Sequence, residues 1–93
     1  MILDLSLRND RLYAGLDVGR DAGKLNLRTP PAAAIDVIAA NLERMEIDPE
    51  EVTLTGGMAI WAYLVVFHYL HGRTKRIYYQ DGTGNRVLVA AHG

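Results

Sequence analysis

The stretch that decides the fold spans residues 51–71 and reads EVTLTGGMAIWAYLVVFHYLH. Its first five residues predict a short central strand, and the glycine pair that follows predicts a turn leading directly into a helix. This helix is apolar on nearly every side, which is typical of a helix covered by a sheet or by a partner subunit. The stretch therefore predicts a strand–helix unit at the centre of a small α/β domain.

The sequence before this unit predicts a hairpin, a loop and a first helix. Apolar and polar residues alternate over residues 1–7 and 12–18, and a polar turn at residues 8–11 separates them. Residues 19–28 are polar and contain glycine, which predicts a loop. Thr29 can cap the helix that follows. The apolar stripe of that helix consists of Ile35, Ile38, Leu42 and Met45.

A second strand pair closes the chain. Residues 74–79 and 86–91 read as strands, and the polar segment between them reads as a turn. The predicted order is β-β-α-β-α-β-β, which defines a small two-layer α/β (α+β) sandwich. We expect a single domain over residues 1–93.

Composition and charge narrow the class of protein. Hydrophobic residues make up 49% of the chain, which disfavours disorder. Cysteine is absent, which excludes disulfides and thiolate metal sites. The longest apolar run, residues 58–67, is far shorter than the roughly 20 residues of a bilayer-spanning helix. The start of the chain lacks the pattern of a signal peptide. We therefore expect a cytoplasmic protein with no membrane partner.

The net charge of −1 is unevenly distributed along the chain. Residues 1–52 carry six basic and ten acidic side chains, whereas residues 53–93 carry four basic and one acidic. Arg76 and Arg86 belong to the basic group that flanks the last two strands. Such a group can hold phosphates, although charges also commonly protect an edge strand. The whole chain is too weakly basic for a general nucleic-acid binder, and we expect no DNA partner.

The first candidate site consists of Thr55, Gly56 and Gly57. Glycines between a strand and a helix let a ligand approach the backbone, and a helix N-terminus offers free N–H groups to a phosphate. The spacing matches neither a Walker motif nor a dinucleotide fingerprint. A tight strand-to-helix turn would require the same glycines, so both interpretations stay open.

The second group of candidates consists of His71, Asp81 and His92. His71 lies at the predicted C-terminus of the second helix, where the dipole stabilises imidazolium and favours a general acid. Asp81 opens the last turn and His92 ends the last strand, so these two need not meet within one subunit. His68 shares a helical face with His71, but two histidines are too few for a usual zinc site. The alternative for all of these residues is a structural role, either in packing, in a turn or at the end of an element.

Residues 52–92 carry a pattern that resembles a CRISPR-associated family, the Csx-type ring nucleases that degrade cyclic tetra-adenylate. The pattern is a strand ending in a small hydroxyl residue and glycine, an Ile-Trp pair, a histidine-bearing helix, a Tyr-Asp turn and a valine-rich strand ending in histidine. In this chain the matching residues are Thr55, Gly56, Ile60, Trp61, His68, His71, Tyr79, Asp81, residues 87–89 and His92.

The chain departs from the family pattern at three places. Gln80 is an extra residue between the matched tyrosine and aspartate. The family's Arg-Gly-Pro is replaced by residues 57–59, and its Asp-Pro-Arg turn is replaced by residues 81–83. The last two changes each remove an arginine that would hold or polarise a phosphate.

The resemblance implies an activity, a set of residue roles and an assembly. The activity is cleavage of cyclic tetra-adenylate to linear oligoadenylates, stimulated by a divalent cation such as Mn²⁺ in some members. His71 would be the general acid or base, and Asp81 would orient it. The implied ligand-binding residues are Thr55, Gly56, Gly57, Arg76, Arg86 and His92. The protein would form a homodimer, and two dimers would enclose the cyclic RNA as a tetramer.

Two further functions remain open. The missing arginines favour a nucleotide-binding or cyclic oligoadenylate-binding module without catalysis. The apolar second helix favours a structural subunit that uses this helix as an oligomer interface.

Overall fold

The computed structural model describes residues 1–92 as a four-stranded sheet, two helices and a separate hairpin. In chain order the elements are β1 (Ile2–Asp4), β2 (Val18–Asp21), β3 (Lys24–Leu27), α1 (Pro31–Arg44), β4 (Glu51–Thr55), α2 (Ile60–Leu70), β5 (Arg76–Gln80) and β6 (Arg86–Ala91). The predicted fold class, a small α+β sandwich, is confirmed. The order of elements from α1 onward also follows the prediction, and one additional strand precedes α1.

The sheet has the strand order β1-β4-β5-β6. The first three of these strands are parallel, and β6 returns antiparallel to β5. The connections β1–α1–β4 and β4–α2–β5 advance in the same direction across the sheet. Because such crossovers are right-handed, both helices lie on one face, where they also contact each other. The other face of the sheet carries no layer within residues 1–92.

The core lies between the sheet and the two helices. Every second residue of the central strands points toward the helices, and the register places Leu3 beside Leu54 and Val52 beside Ile77. These side chains pack in one cluster with the buried stripes of α1 and α2. The fully buried apolar residues of the helices are Ala34, Ile38, Leu42, Ala62, Val66 and Leu70.

The β6 strand contains a β-bulge. Tyr78 pairs with Leu88, whereas the preceding residue, Ile77, pairs with Ala90. Val89 is therefore an extra residue in β6 with no partner on β5.

The structure corrects the prediction for the first 28 residues. β1 pairs in parallel with β4 and not with residues 12–18, which contain turns. Leu12 and Tyr13 are both buried although they are adjacent, a pattern that a half-buried strand cannot produce. The buried Asn41 side chain of α1 holds this segment by donating to the carbonyl oxygens of Leu12 at 2.8 Å and Ala14 at 2.9 Å.

The β2–β3 hairpin lies where the sequence predicts a loop, so that prediction is wrong for residues 19–27. β2 and β3 pair antiparallel, and the two residues between them, Ala22 and Gly23, both have positive φ. This is the turn geometry that suits a two-residue hairpin. The predicted cap of α1 is also wrong, because Thr29 Oγ1 accepts a hydrogen bond from the Asp17 N–H and Pro30 occupies the N-cap position.

Within residues 1–92, no helix is both long enough and apolar enough to cross a membrane.

Candidate functional site

The structure divides the predicted site residues between the two ends of β5. His71 and His92 lie where β5 begins, whereas Thr55, Gly56 and Asp81 lie where it ends. A five-residue strand is about 15 Å long, since each residue advances roughly 3.3 Å. The predicted pair of His71 and Asp81 is therefore not in contact within one protomer. We refer to the two groups as the histidine end and the aspartate end.

The histidine end is built by the residue that follows α2 and by the continuation of β6. His71 caps α2, and its N–H donates to the Phe67 carbonyl oxygen at 2.9 Å. The His92 N–H donates to the Lys75 carbonyl oxygen at 2.6 Å, which extends the β5–β6 ladder by one residue. The imidazole rings of His71 and His92 meet edge to face, with centroids 4.5 Å apart and planes at 78°. The structure thus brings together two predicted residues that are 21 positions apart.

This histidine pair is open to solvent. Both side chains are exposed, and the Phe67 ring lies on another side of His71 with its centroid 5.7 Å away. Within residues 1–92, neither ring hydrogen-bonds to a carboxylate. An imidazole can act as an acid or as a base, so two neighbouring imidazoles can serve both proton transfers to and from a substrate.

The aspartate end begins with a turn, and groups within this turn hydrogen-bond to the carboxylate of Asp81. Its Oδ1 atom accepts hydrogen bonds from the Thr83 hydroxyl at 2.6 Å, the Thr83 N–H at 2.8 Å and the Asn85 N–H at 3.1 Å. The hydrogen bond from the Thr83 hydroxyl, together with those from backbone N–H groups, lowers the pKa of Asp81. Asp81 is therefore ionised at neutral pH and can accept hydrogen bonds but not donate a proton.

The glycine turn packs tightly against the end of β1. Gly56 has φ +99°, and a Cβ atom built there would lie 2.1 Å from Asp4 Oδ1. Burial raises the pKa of Tyr63, and the neighbouring Tyr79 and Asp4 raise it further, so this phenol stays protonated and donates to the Gly56 carbonyl oxygen. Thr55 Oγ1 donates to the Gln80 carbonyl oxygen at 3.0 Å. Thr55 and Gly56 therefore both have structural roles.

A cavity of about 290 Å³ lies beside this turn. Its lining residues are Thr55, Gly56, Gly57, Tyr79, Gln80 and Gly82. Three predicted phosphate-binding residues thus line one cavity, next to Asp81. Gly57 is exposed and has open space around it, which leaves its backbone accessible to a ligand.

Arg76 and Arg86 lie on the face of the sheet opposite the helices. Both contact the same carboxylate, with Arg76 Nε 3.7 Å from Glu51 Oε1 and Arg86 Nη1 3.2 Å from Glu51 Oε2. The Arg86 guanidinium also lies 3.8 Å from the centroid of the Tyr78 ring. Both arginines would have to leave Glu51 before they could hold a phosphate. The sequence did not reveal Glu51 as their partner, because the contact depends on the register between β4 and β5.

The described part of the chain contains no group of three or more His, Asp or Glu side chains that could hold a metal ion. The stimulation by Mn²⁺ stays a prediction. No protein-family model matches the chain, and neither a curated protein nor a solved structure matches it.

Proposed function

We propose that the protein is a ring nuclease that cleaves cyclic tetra-adenylate to linear oligoadenylates. The observation that carries the proposal is the contact between His71 and His92, whose ring centroids are 4.5 Å apart at an exposed end of the sheet. The two histidines are the residues to which the resemblance assigns proton transfer and RNA contact. A nuclease for a second messenger of this kind acts in the cytoplasm, which is where we place the protein.

The chemistry requires a base, an acid and an aligned substrate. One imidazole takes the proton from a ribose 2′-hydroxyl, whose oxygen attacks the adjacent phosphorus. The bond from phosphorus to the 5′-oxygen breaks, and the other imidazole protonates that oxygen. The products of this step are a 2′,3′-cyclic phosphate and a free 5′-hydroxyl. The ring must hold the attacking and leaving oxygens in line, which is a positioning task for the protein.

The distance between the two ends of β5 favours a site made by more than one protomer. Asp81 and the cavity beside the glycine turn lie about one strand length from the histidine pair. In a homodimer, or in a tetramer of two dimers around the RNA, the histidine end of one protomer can approach the aspartate end of another. Asp81 would then act as an ionised hydrogen-bond acceptor and Gly57 as a backbone donor to phosphate.

The first test is product analysis of cyclic tetra-adenylate incubated with the purified protein, with and without Mn²⁺. We expect linear products from the wild type. We expect at least a tenfold lower rate from His71→Ala and from His92→Ala, since general acid–base catalysis contributes about 10²–10⁴-fold. His68→Ala is the matched control. It removes the third histidine of the chain, which is exposed on the outer surface of α2. Equal rates in all three variants would contradict the assignment.

Mixing two variants tests the shared site in the same assay. His71→Ala and Asp81→Ala are each expected to be nearly inactive alone. A mixture should regain part of the activity if protomers exchange, because some interfaces then contain an intact His71 and an intact Asp81. A mixture as inactive as its components, under conditions where subunits exchange, would place the whole site in one protomer.

A second candidate function is binding of the ring without cleavage. Two observations favour it: Glu51 holds both Arg76 and Arg86, and Asp81 Oδ1 is already engaged in its own turn. In that case the ring would stay intact while it raised the melting temperature, since a ligand that binds only the folded state stabilises it.

A further inference from the structure

A groove runs along the β2–β3 hairpin, outside the histidine and aspartate ends. It consists of two adjoining cavities of about 380 and 330 Å³, a size range typical of small-molecule sites. The two cavities share Leu7, Leu25 and Gly57 in their linings. Gly57 also lines the cavity at the aspartate end, so the groove adjoins that site without including Asp81 or either paired histidine.

The first cavity is cationic. It is lined by Arg8, Arg20 and Lys24, which are three of the six basic residues in the acidic first half of the chain. No carboxylate lines either cavity. Arg20 is held in position by a hydrogen bond of 3.1 Å from its Nη1 to the Gly23 carbonyl oxygen.

These three cations differ from most other basic residues of the protein. Each of four others forms an ion pair with a neighbouring carboxylate; they are Arg28, Lys75, Arg76 and Arg86. In the described part of the chain, Arg8, Arg20 and Lys24 form no ion pair. Gathering three positive charges around one cavity without a counter-charge is unfavourable, and a bound anion relieves this repulsion.

Seven of the ten residues that line the second cavity are apolar, and polar groups, among them Asn26 and Thr29, share its surface with them. Leu27, Met58 and Trp61 line it, and the start of α2 forms one of its walls. A flat aromatic ring suits such a surface, because bases stack on aromatic side chains such as Trp61.

We propose that this groove binds a nucleotide that carries a terminal phosphate chain, with the phosphates in the cationic cavity and the base in the apolar one. A terminal phosphate has a charge of about −1.5 to −2 at neutral pH. A phosphodiester within a ring has only one negative charge, so three cations fit a nucleoside di- or triphosphate better than a cyclic oligonucleotide. The site is independent of the proposed cleavage of the ring.

Trp61 is the only tryptophan in the chain, so its fluorescence reports directly on the groove. We expect ATP to change this fluorescence saturably, and calorimetry to give affinities in the order ATP, ADP, AMP, adenosine. Arg20→Ala/Lys24→Ala should weaken ATP binding at least tenfold. The matched control is Arg11→Ala/Lys75→Ala, which changes the net charge equally at exposed sites outside the groove and should bind like the wild type.

Several results would overturn the proposal. These are no saturable change with ATP at millimolar concentration, an equal loss in both double variants, or inorganic tripolyphosphate binding as tightly as ATP. The last result would mean that the apolar cavity recognises no base. His71→Ala should bind ATP like the wild type even if it loses ring cleavage, so the two proposals can fail separately.

Discussion

Gly56 and Gly57 are adjacent glycines with different structural constraints. Gly56 has φ +99° and packs against the Asp4 carboxylate, whereas a side chain at Gly57 would meet nothing within 4 Å. The sequence predicts the turn from the glycine pair but cannot say which glycine is required. That distinction depends on the approach of β1 to the end of β4.

Substituting each glycine separately tests this difference. Gly56→Ala should destabilise the protein by about 1–3 kcal/mol, because it forces a strained φ and displaces the Asp4 carboxylate. Gly57→Ala should change stability by less than about 0.5 kcal/mol. Chemical denaturation of both variants measures the free energy of unfolding. Equal losses in the two variants would show that the turn geometry is wrong.

The elements differ in how well the sequence predicts them. Periodic or continuous apolar patterns mark α1, β4 and α2 in the sequence. These three elements supply most of the core residues, so their positions follow from burial alone. The β2–β3 hairpin has only four residues per strand, and its apolar signal is limited to the half-buried Val18, Leu25 and Leu27. The segment before it alternates in sequence yet folds as turns, because a tertiary contact from α1 satisfies its carbonyl groups.

Asn41 provides that contact, and its removal tests the importance of the contact for this segment. Asn41→Ala leaves the carbonyl oxygens of Leu12 and Ala14 without their buried donor. We expect a loss of about 1–3 kcal/mol in stability, since an unsatisfied buried polar group costs this amount. Asn26→Ala removes an exposed amide that bonds only Asp21 and is the control. Thermal unfolding of both should show a clear loss for Asn41→Ala alone.

In the whole molecule, the outer side of α2 is an exposed apolar surface. Ile60 is 79% exposed and Leu64 is 63% exposed, one helical turn apart. Leu64 and Ile35 line a cavity of about 520 Å³ between the two helices, together with Asp36 and Arg73. The opposite charges of Asp36 and Arg73 can pair across a twofold axis with a second copy of the chain. These features support the proposed homodimer.

Light scattering with size-exclusion chromatography tests this surface. We expect a dimer for the wild type and a shift toward monomer for Leu64→Glu, because a charge would be buried in the interface. Leu88→Glu is the control, since Leu88 is similarly exposed but lies on β6, away from the helices. Dissociation by Leu88→Glu alone would assign the interface to the sheet instead.

At the scale of the whole molecule, the sequence predicts the layers of sheet and helices. It does not predict that the candidate site residues are divided between the two ends of β5. It indicated that Asp81 and His92 need not meet, and the antiparallel pairing of β5 with β6 explains the separation, because Asp81 opens the turn at one end of this pair and His92 lies at the other. It did not reveal that His71 meets His92, because that contact depends on the pairing of β5 with β6 and on the end of α2 at the same edge.

The bulge at Val89 has a consequence for how this pair is encoded. Side chains alternate between the faces of a strand, so one unpaired residue reverses the alternation for everything that follows. Val87 pairs with Tyr79, which faces α2, and His92 follows Val87 by five residues, so without the bulge His92 would point to the side away from α2. The contact between the two imidazoles therefore depends partly on whether the number of residues between Val87 and His92 is odd or even. A comparison of residue types alone would not detect this property.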